Sequence, residues 1–170
     1  MTEFTVFGAR PSREGIEELL QRLRAFAQGR GGDAQILDAT AVFGKPHLES
    51  AYEHAVRARE RGASVADSLS VEFLRYAAGE RRIDRAIALL GAKRGSPLAV
   101  ALFGGVRVAD VVRSCGLIRD DRVLSPNGKS LRRLGITARE EGTMPRARVN
   151  ELVLERVALA DLVRPAATRA

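Results

Sequence analysis

The chain has 170 residues, with 28 Lys plus Arg against 21 Asp plus Glu and a formal net charge of +7. With 45% hydrophobic and 29% charged residues, it can bury roughly 70% of its unfolded surface, which excludes global disorder and suits one domain. A single cysteine, Cys115, excludes an intramolecular disulfide and any zinc site built on several cysteines, and no apolar run is long enough to span a membrane.

Thr2–Phe7 alternates and predicts a strand, and Ile16, Leu19, Leu20, Leu23 and Phe26 follow at helical spacing. The glycines of Gly29–Asp33 end that helix, and the apolar run Ala34–Ala39 completes a β-α-β order. Lys45-Pro46 opens a helix carrying Leu48, Tyr52, Ala55 and Val56 on one side, stopped by Gly62. Ser64 and Asp67 form a capping-box variant ahead of a helix with Leu69, Phe73, Tyr76 and Ala77 on its apolar face, closed by Gly79. Ile83, Ala86, Ile87 and Leu90 give one more short helix, ending at Gly91.

Pro97–Phe103 is short, continuously apolar and bounded by glycines, the pattern of a central strand buried on both faces. Val108–Cys115 is expected to be helical, Ser125-Pro126 to cap and open a helix, and Ile136–Ala138 to form an edge strand. Pro145 begins the last helix, whose stripe is Val149, Leu152, Val153, Val157 and Ala160. The expected architecture is α+β, one domain over residues 1–164 with a small mixed β-sheet packed with several short helices and a frayed tail at 165–170. At 5% aromatic residues and no Trp, the core must consist mainly of Leu, Ile, Val and Ala. The first eight residues are too short and polar for a signal peptide, and the expectation is a cytoplasmic protein.

Enzyme chemistry finds little support. Gly128-Lys129-Ser130 resembles the end of a phosphate-binding P-loop, but Val123 stands where that loop needs its first glycine, so Ser125–Gly128 reads as a turn. His47 and His54 are seven residues apart on one helix, roughly 10 Å by helical rise, too far to share a metal; both are expected to be partly exposed, and no metal or other cofactor is expected. Cys115 reads as a buried thiol. Asp120-Asp121 and Glu140-Glu141 are adjacent acids that rarely form an acid/base pair and read as solvated loop charges.

Lysine occurs only at Lys45, Lys93 and Lys129, so the basic excess is almost entirely arginine. A GC-rich genome would enrich arginine without any function. Arginine also suits phosphate, because its planar fork donates bidentately. Arg75, Arg81, Arg82 and Arg85 gather where two helices meet around Gly79. Guanidinium forks beside helix N–H groups favour phosphate, whereas Glu72, Glu80 and Asp84 offset the charge if the corner is only a solvated surface. Arg57, Arg59 and Arg61 on the preceding helix add positive potential, and Lys93 is a further candidate contact.

The stretch AVFGKPHLESAYEHAVRARERG, followed by SLSVEFLRYAAGERRIDRAIALLGAK, resembles the TPRKB-type small subunit of the KEOPS complex, in its archaeal form. The features that carry this are the helix Val71–Tyr76 with Glu72, the corner Gly79-Glu80-Arg81-Arg82-Ile83, then Ala86-Ile87 and Leu90-Gly91. Glu140-Glu141-Gly142 leading into Asn150–Arg156 matches the closing helix, so most of the chain is covered. The resemblance implies a non-catalytic accessory subunit that binds and stimulates a small atypical kinase, and supports N6-threonylcarbamoyladenosine formation on tRNA. The threonylcarbamoyl transferase would be an indirect partner. It further implies binding of the single-stranded tRNA 3′ CCA end, with Arg75, Arg81, Arg82 and Arg85 on phosphates, Ile83 against a base or ribose, and Arg57, Arg61 and Lys93 as secondary contacts. Archaeal relatives often carry Gln where this chain has Arg82. The competing readings are a kinase adaptor without RNA affinity, whose plausible kinase-facing surfaces are the helices of 46–61 and 146–161, and a small enzyme using Cys115.

Overall fold

The structure, a computed structural model, describes residues 3–162, and the expected tail at 165–170 lies outside the described residues. Three strands, β1 (Phe4–Ala9), β2 (Asp33–Asp38) and β3 (Leu98–Phe103), are joined by helices α1 (Ile16–Gln28), α2 (Lys45–Glu60), α3 (Leu69–Ala77) and α4 (Ile83–Leu90). After β3 come α5 (Val108–Cys115), α6 (Ala138–Gly142) and α7 (Glu151–Leu159), interleaved with 3-10 turns at Asp121–Leu124, Leu131–Leu134 and Arg146–Arg148. The class is α+β.

The six residues of β3 are all buried because the strand feeds two cores by alternation. Leu98, Val100 and Leu102 pack with Phe7, Ile36, Leu19 and Leu23 beneath α1 and α5. Ala99, Ala101 and Phe103 enter the opposite core, with Phe73, Leu48, Leu90 and Val153 from α2, α3, α4 and α7. An aromatic cluster anchors that side: Phe4 stacks on Tyr52 at 4.3 Å, and Phe73 meets Phe103 edge-on at 5.5 Å.

Strand order is β1-β3-β2, and both pairings are antiparallel, from Phe4 opposite Phe103 and from Asp33 opposite Phe103. The sheet is therefore antiparallel rather than mixed. The expected β-α-β unit is split, with β1 and β2 pointing the same way on either side of β3. The reason is burial: β3 is apolar on both faces and belongs in the centre, which separates the two strands that precede it.

Other expectations are corrected. Ser68, not Ser64, caps α3, its hydroxyl accepting from the Val71 N–H at 3.2 Å. Ser125-Pro126 opens no helix; it begins the turn at Asn127-Gly128, where Gly128 has φ of +74°. Ile136–Ala138 is not a strand, since Ile136 is buried and Thr137 caps α6 in a capping box with Glu140. The last helix starts at Glu151, and the stretch after Pro145 is a 3-10 turn. His47 is buried, not partly exposed. Ile87 is 53% exposed, since α4 turns that edge of its stripe outward.

Asp120 and Asp121 are more than solvated charges. Asp121 accepts from the Gly8 N–H at 2.9 Å and ties the turn to β1. Asp120 caps the 3-10 turn and pairs with Arg122, whose guanidinium lowers its pKa to about 2.

Candidate nucleic-acid interface

The arginine corner is organised by an ion pair inside the protein. Glu72 is 0% and Arg75 2% exposed. Glu72 Oε1 accepts from Arg75 Nε at 3.1 Å and Nη2 at 2.6 Å, while its Oε2 accepts from the backbone N–H groups of Val65 (3.1 Å) and Ala66 (2.9 Å). Arg75 Nη1 reaches on to the carbonyl of Glu80 at 3.2 Å, and the guanidinium lies 4.2 Å from the centre of the Tyr76 ring. Burial works against the charge on Arg75, but the Glu72 carboxylate outweighs it and raises its pKa. One buried pair therefore ties the loop before α3 to the loop after it. Arg75 is consequently no surface phosphate contact; it positions the corner from inside.

Gly79 makes the corner sharp. The Gly79 N–H donates to the Tyr76 carbonyl at 2.9 Å and the Glu80 N–H to the Arg75 carbonyl at 3.1 Å, the two bonds of a Schellman close. Gly79 has φ of +63°, and a Cβ there would stand 2.7 Å from Arg156 Cγ and 3.1 Å from the Arg156 carbonyl. Gly79→Ala should therefore cost about 2 kcal/mol or more, from left-handed backbone plus the contact with α7. Gly62, with φ of +65° but nothing within 4 Å of its Cβ position, supplies the comparison. Gly62→Ala should be visibly milder in urea unfolding, and equal losses would show that Arg156 gives way freely.

The surface of the corner then belongs to Arg81, Arg82, Ile83 and Arg85. Arg82 precedes α4 and forks onto Asp84, with Nε and Nη2 donating at 3.0 and 2.8 Å. Both partners are about two-thirds exposed, and such a pair is weak enough to be exchanged for a phosphate. Arg81 and Ile83 are half-buried and Arg85 is exposed. Three arginines thus face Glu80 and Asp84, a small positive excess arranged around the first turn of α4.

The secondary candidates lie apart from this group. His47 Nε2 meets the Ala77 carbonyl at 2.7 Å and Arg59 Nη1 the Asp67 carbonyl at 2.8 Å, so α2 runs antiparallel to α3. Arg57 and Arg61 therefore sit towards the far end of α3 from Gly79, about 13 Å away by helical rise. Lys93 lies beyond the C-terminal end of α4. The apolar faces of α2 and α7 pack in the same core, and the apolar surface they leave lies at the end of α7, where Leu159 is 38% and Leu162 72% exposed.

A further exposed apolar surface lies along α4, where helical spacing predicts Ile87 on the stripe facing inward. Ile87 lines a groove of about 390 Å³ with Ile16, Leu20, Val71 and Leu74, between α1, α3 and α4. Cys115 is buried, and burial raises its thiol pKa away from the reactive thiolate. Among the described residues no helix is long and apolar enough to cross a membrane, and no cluster of three or more His, Cys, Asp or Glu could hold a metal ion. Comparison with known proteins found no matching family model and no matching curated protein.

Proposed function

We propose that this chain is a non-catalytic accessory subunit of KEOPS type, acting in the cytoplasm, that binds single-stranded tRNA 3′ ends and associates with a small kinase. The observation that supports this reading most is the Glu72–Arg75 pair, which holds a sharp Gly79 turn and leaves Arg81, Arg82, Ile83 and Arg85 on one corner. Those residues fall within the stretch whose order resembles the TPRKB-type subunit. Arg81, Arg82 and Arg85 would neutralise phosphates, and Ile83 would pack against the terminal base or ribose.

The test is a titration of full-length tRNA, and of the same tRNA without its CCA, at two salt concentrations. The expected result is loss of affinity without the CCA, a fall with salt, and about ten-fold weaker binding for Arg82→Ala or Arg85→Ala with the fold retained. Salt-independent binding, or indifference to the CCA, would overturn it. The groove beside Ile87 favours a second reading, a kinase adaptor without RNA affinity. That reading expects no tRNA binding by the isolated chain and unchanged kinase affinity in the arginine variants.

A further inference from the structure

A second basic feature lies outside the arginine corner. Between the turn at Asn127-Gly128, the end of α6 and the approach to α7 is an open cavity of about 620 Å³. Lys129, Arg132 and Arg146 line it against one acid, Glu141, with Ser130 and Asn150 as neutral donors.

The three cations have different roles. Lys129 is half-buried, and its Nζ donates to the carbonyls of Val42 at 2.6 Å and Val123 at 2.7 Å, so it holds the turn and sets a positive charge in the wall. Arg132 and Arg146 are exposed. Their chain neighbours Arg133 and Arg148 are engaged by Asp38 and Glu151, whereas no described carboxylate pairs with Arg132 or Arg146. Two uncommitted forks beside a fixed ammonium match a multiply charged oxyanion. The volume lies within the range of ligand sites, too large for a lone small anion. Phe43, the aromatic residue in the lining, is buried and offers no face for a base to stack on.

We infer that this cavity is an anion site for the phosphate part of a larger ligand, held by Arg132 and Arg146 over Lys129. The Gly128-Lys129-Ser130 segment thus serves phosphate in a way unlike a P-loop: its lysine faces backbone carbonyls, and the guanidiniums of Arg132 and, from beyond α6, Arg146 take the ligand. The inference does not rest on the CCA reading, because it uses none of the corner residues. The phosphates could belong to a free diphosphate compound or to an RNA backbone, and the two sources are separable.

Inorganic pyrophosphate is titrated calorimetrically into the wild type, into Arg132→Gln/Arg146→Gln, and into Arg13→Gln/Arg113→Gln. The last removes two exposed arginines beside a different cavity, near Cys115, with the same change of charge. All the replaced side chains are exposed, so thermal melts should be unchanged. The expected result is submillimolar pyrophosphate binding that falls at least about ten-fold only in the Arg132/Arg146 variant. If pyrophosphate does not bind, but tRNA lacking its CCA binds at low salt and weakens about ten-fold only in that variant, the phosphates are those of RNA. If neither ligand distinguishes the two double variants, the inference is overturned.

Discussion

Glu72→Ala should destabilise the protein by about 3–5 kcal/mol, because it strands the Arg75 charge in the interior and leaves two backbone N–H groups without their acceptor. Arg75→Met should cost a comparable amount by leaving the carboxylate unpaired. The double variant Glu72→Met/Arg75→Met should recover much of either loss, since two isolated buried charges are worse than none. Urea unfolding of the three variants measures this, and a single-variant loss below about 1 kcal/mol would show that the pair is not sealed from water. Function should follow stability. Under conditions where Glu72→Ala is still folded, Arg75 loses the carboxylate that holds it on the Glu80 carbonyl, and on the proposed tRNA-binding reading affinity should drop although Glu72 is too deep to touch RNA.

The second large effect is acid sensitivity centred on His47. Its Nε2–H donates to the Ala77 carbonyl at 2.7 Å, and its Nδ1 accepts from the Phe43 N–H at 3.2 Å, so the neutral ring uses both nitrogens. Burial lowers its pKa from 6.5 to about 4. The unfolded chain therefore takes up a proton that the folded chain refuses, so this contribution is whole above pH 6.5 and is lost as the pH falls towards 4. By linkage the loss is about 3 kcal/mol. The lowered carboxylates act further down, since Asp120 moves from 3.8 to about 2, and their losses begin where that of His47 ends. Unfolding free energies between pH 7 and 4.5 should slope steeply for the wild type and stay flatter for His47→Gln, even if that variant starts lower. Parallel slopes would remove His47 as the cause.

Helices and the central strand were readable because each carries its own signal. The stripe of α1, Pro46 at the start of α2 and the uninterrupted apolar run of β3 all reflect one-dimensional spacing that matches a local backbone period. Thr137 and Glu140 carried an equally local capping-box signal that pointed to α6, yet the short apolar run at Ile136 competes with it as a strand. Ile136 is apolar because it fills the core beside α7, not because it pairs in a sheet.

The arginines divide along a different line. Composition and order place four of them at one corner, but nothing local distinguishes Arg75 from Arg82. Each has a carboxylate close in sequence, Glu72 three residues from Arg75 and Asp84 two from Arg82, so their difference lies in what packs over them. Arg75 meets Glu72 beneath a loop whose N–H groups complete the carboxylate, whereas Arg82 points outward with only Asp84 beside it. The same holds for Arg132 and Arg133, adjacent in sequence. Arg133 reaches back across the fold to Asp38 at 3.2 Å and the Leu89 carbonyl at 3.1 Å, and Arg132 faces an open cavity. Periodicity and capping act over a few residues and can be read from spacing. Burial of a charge depends on partners brought together by packing, so which arginines remain for a ligand was settled only when the helices closed over the sheet.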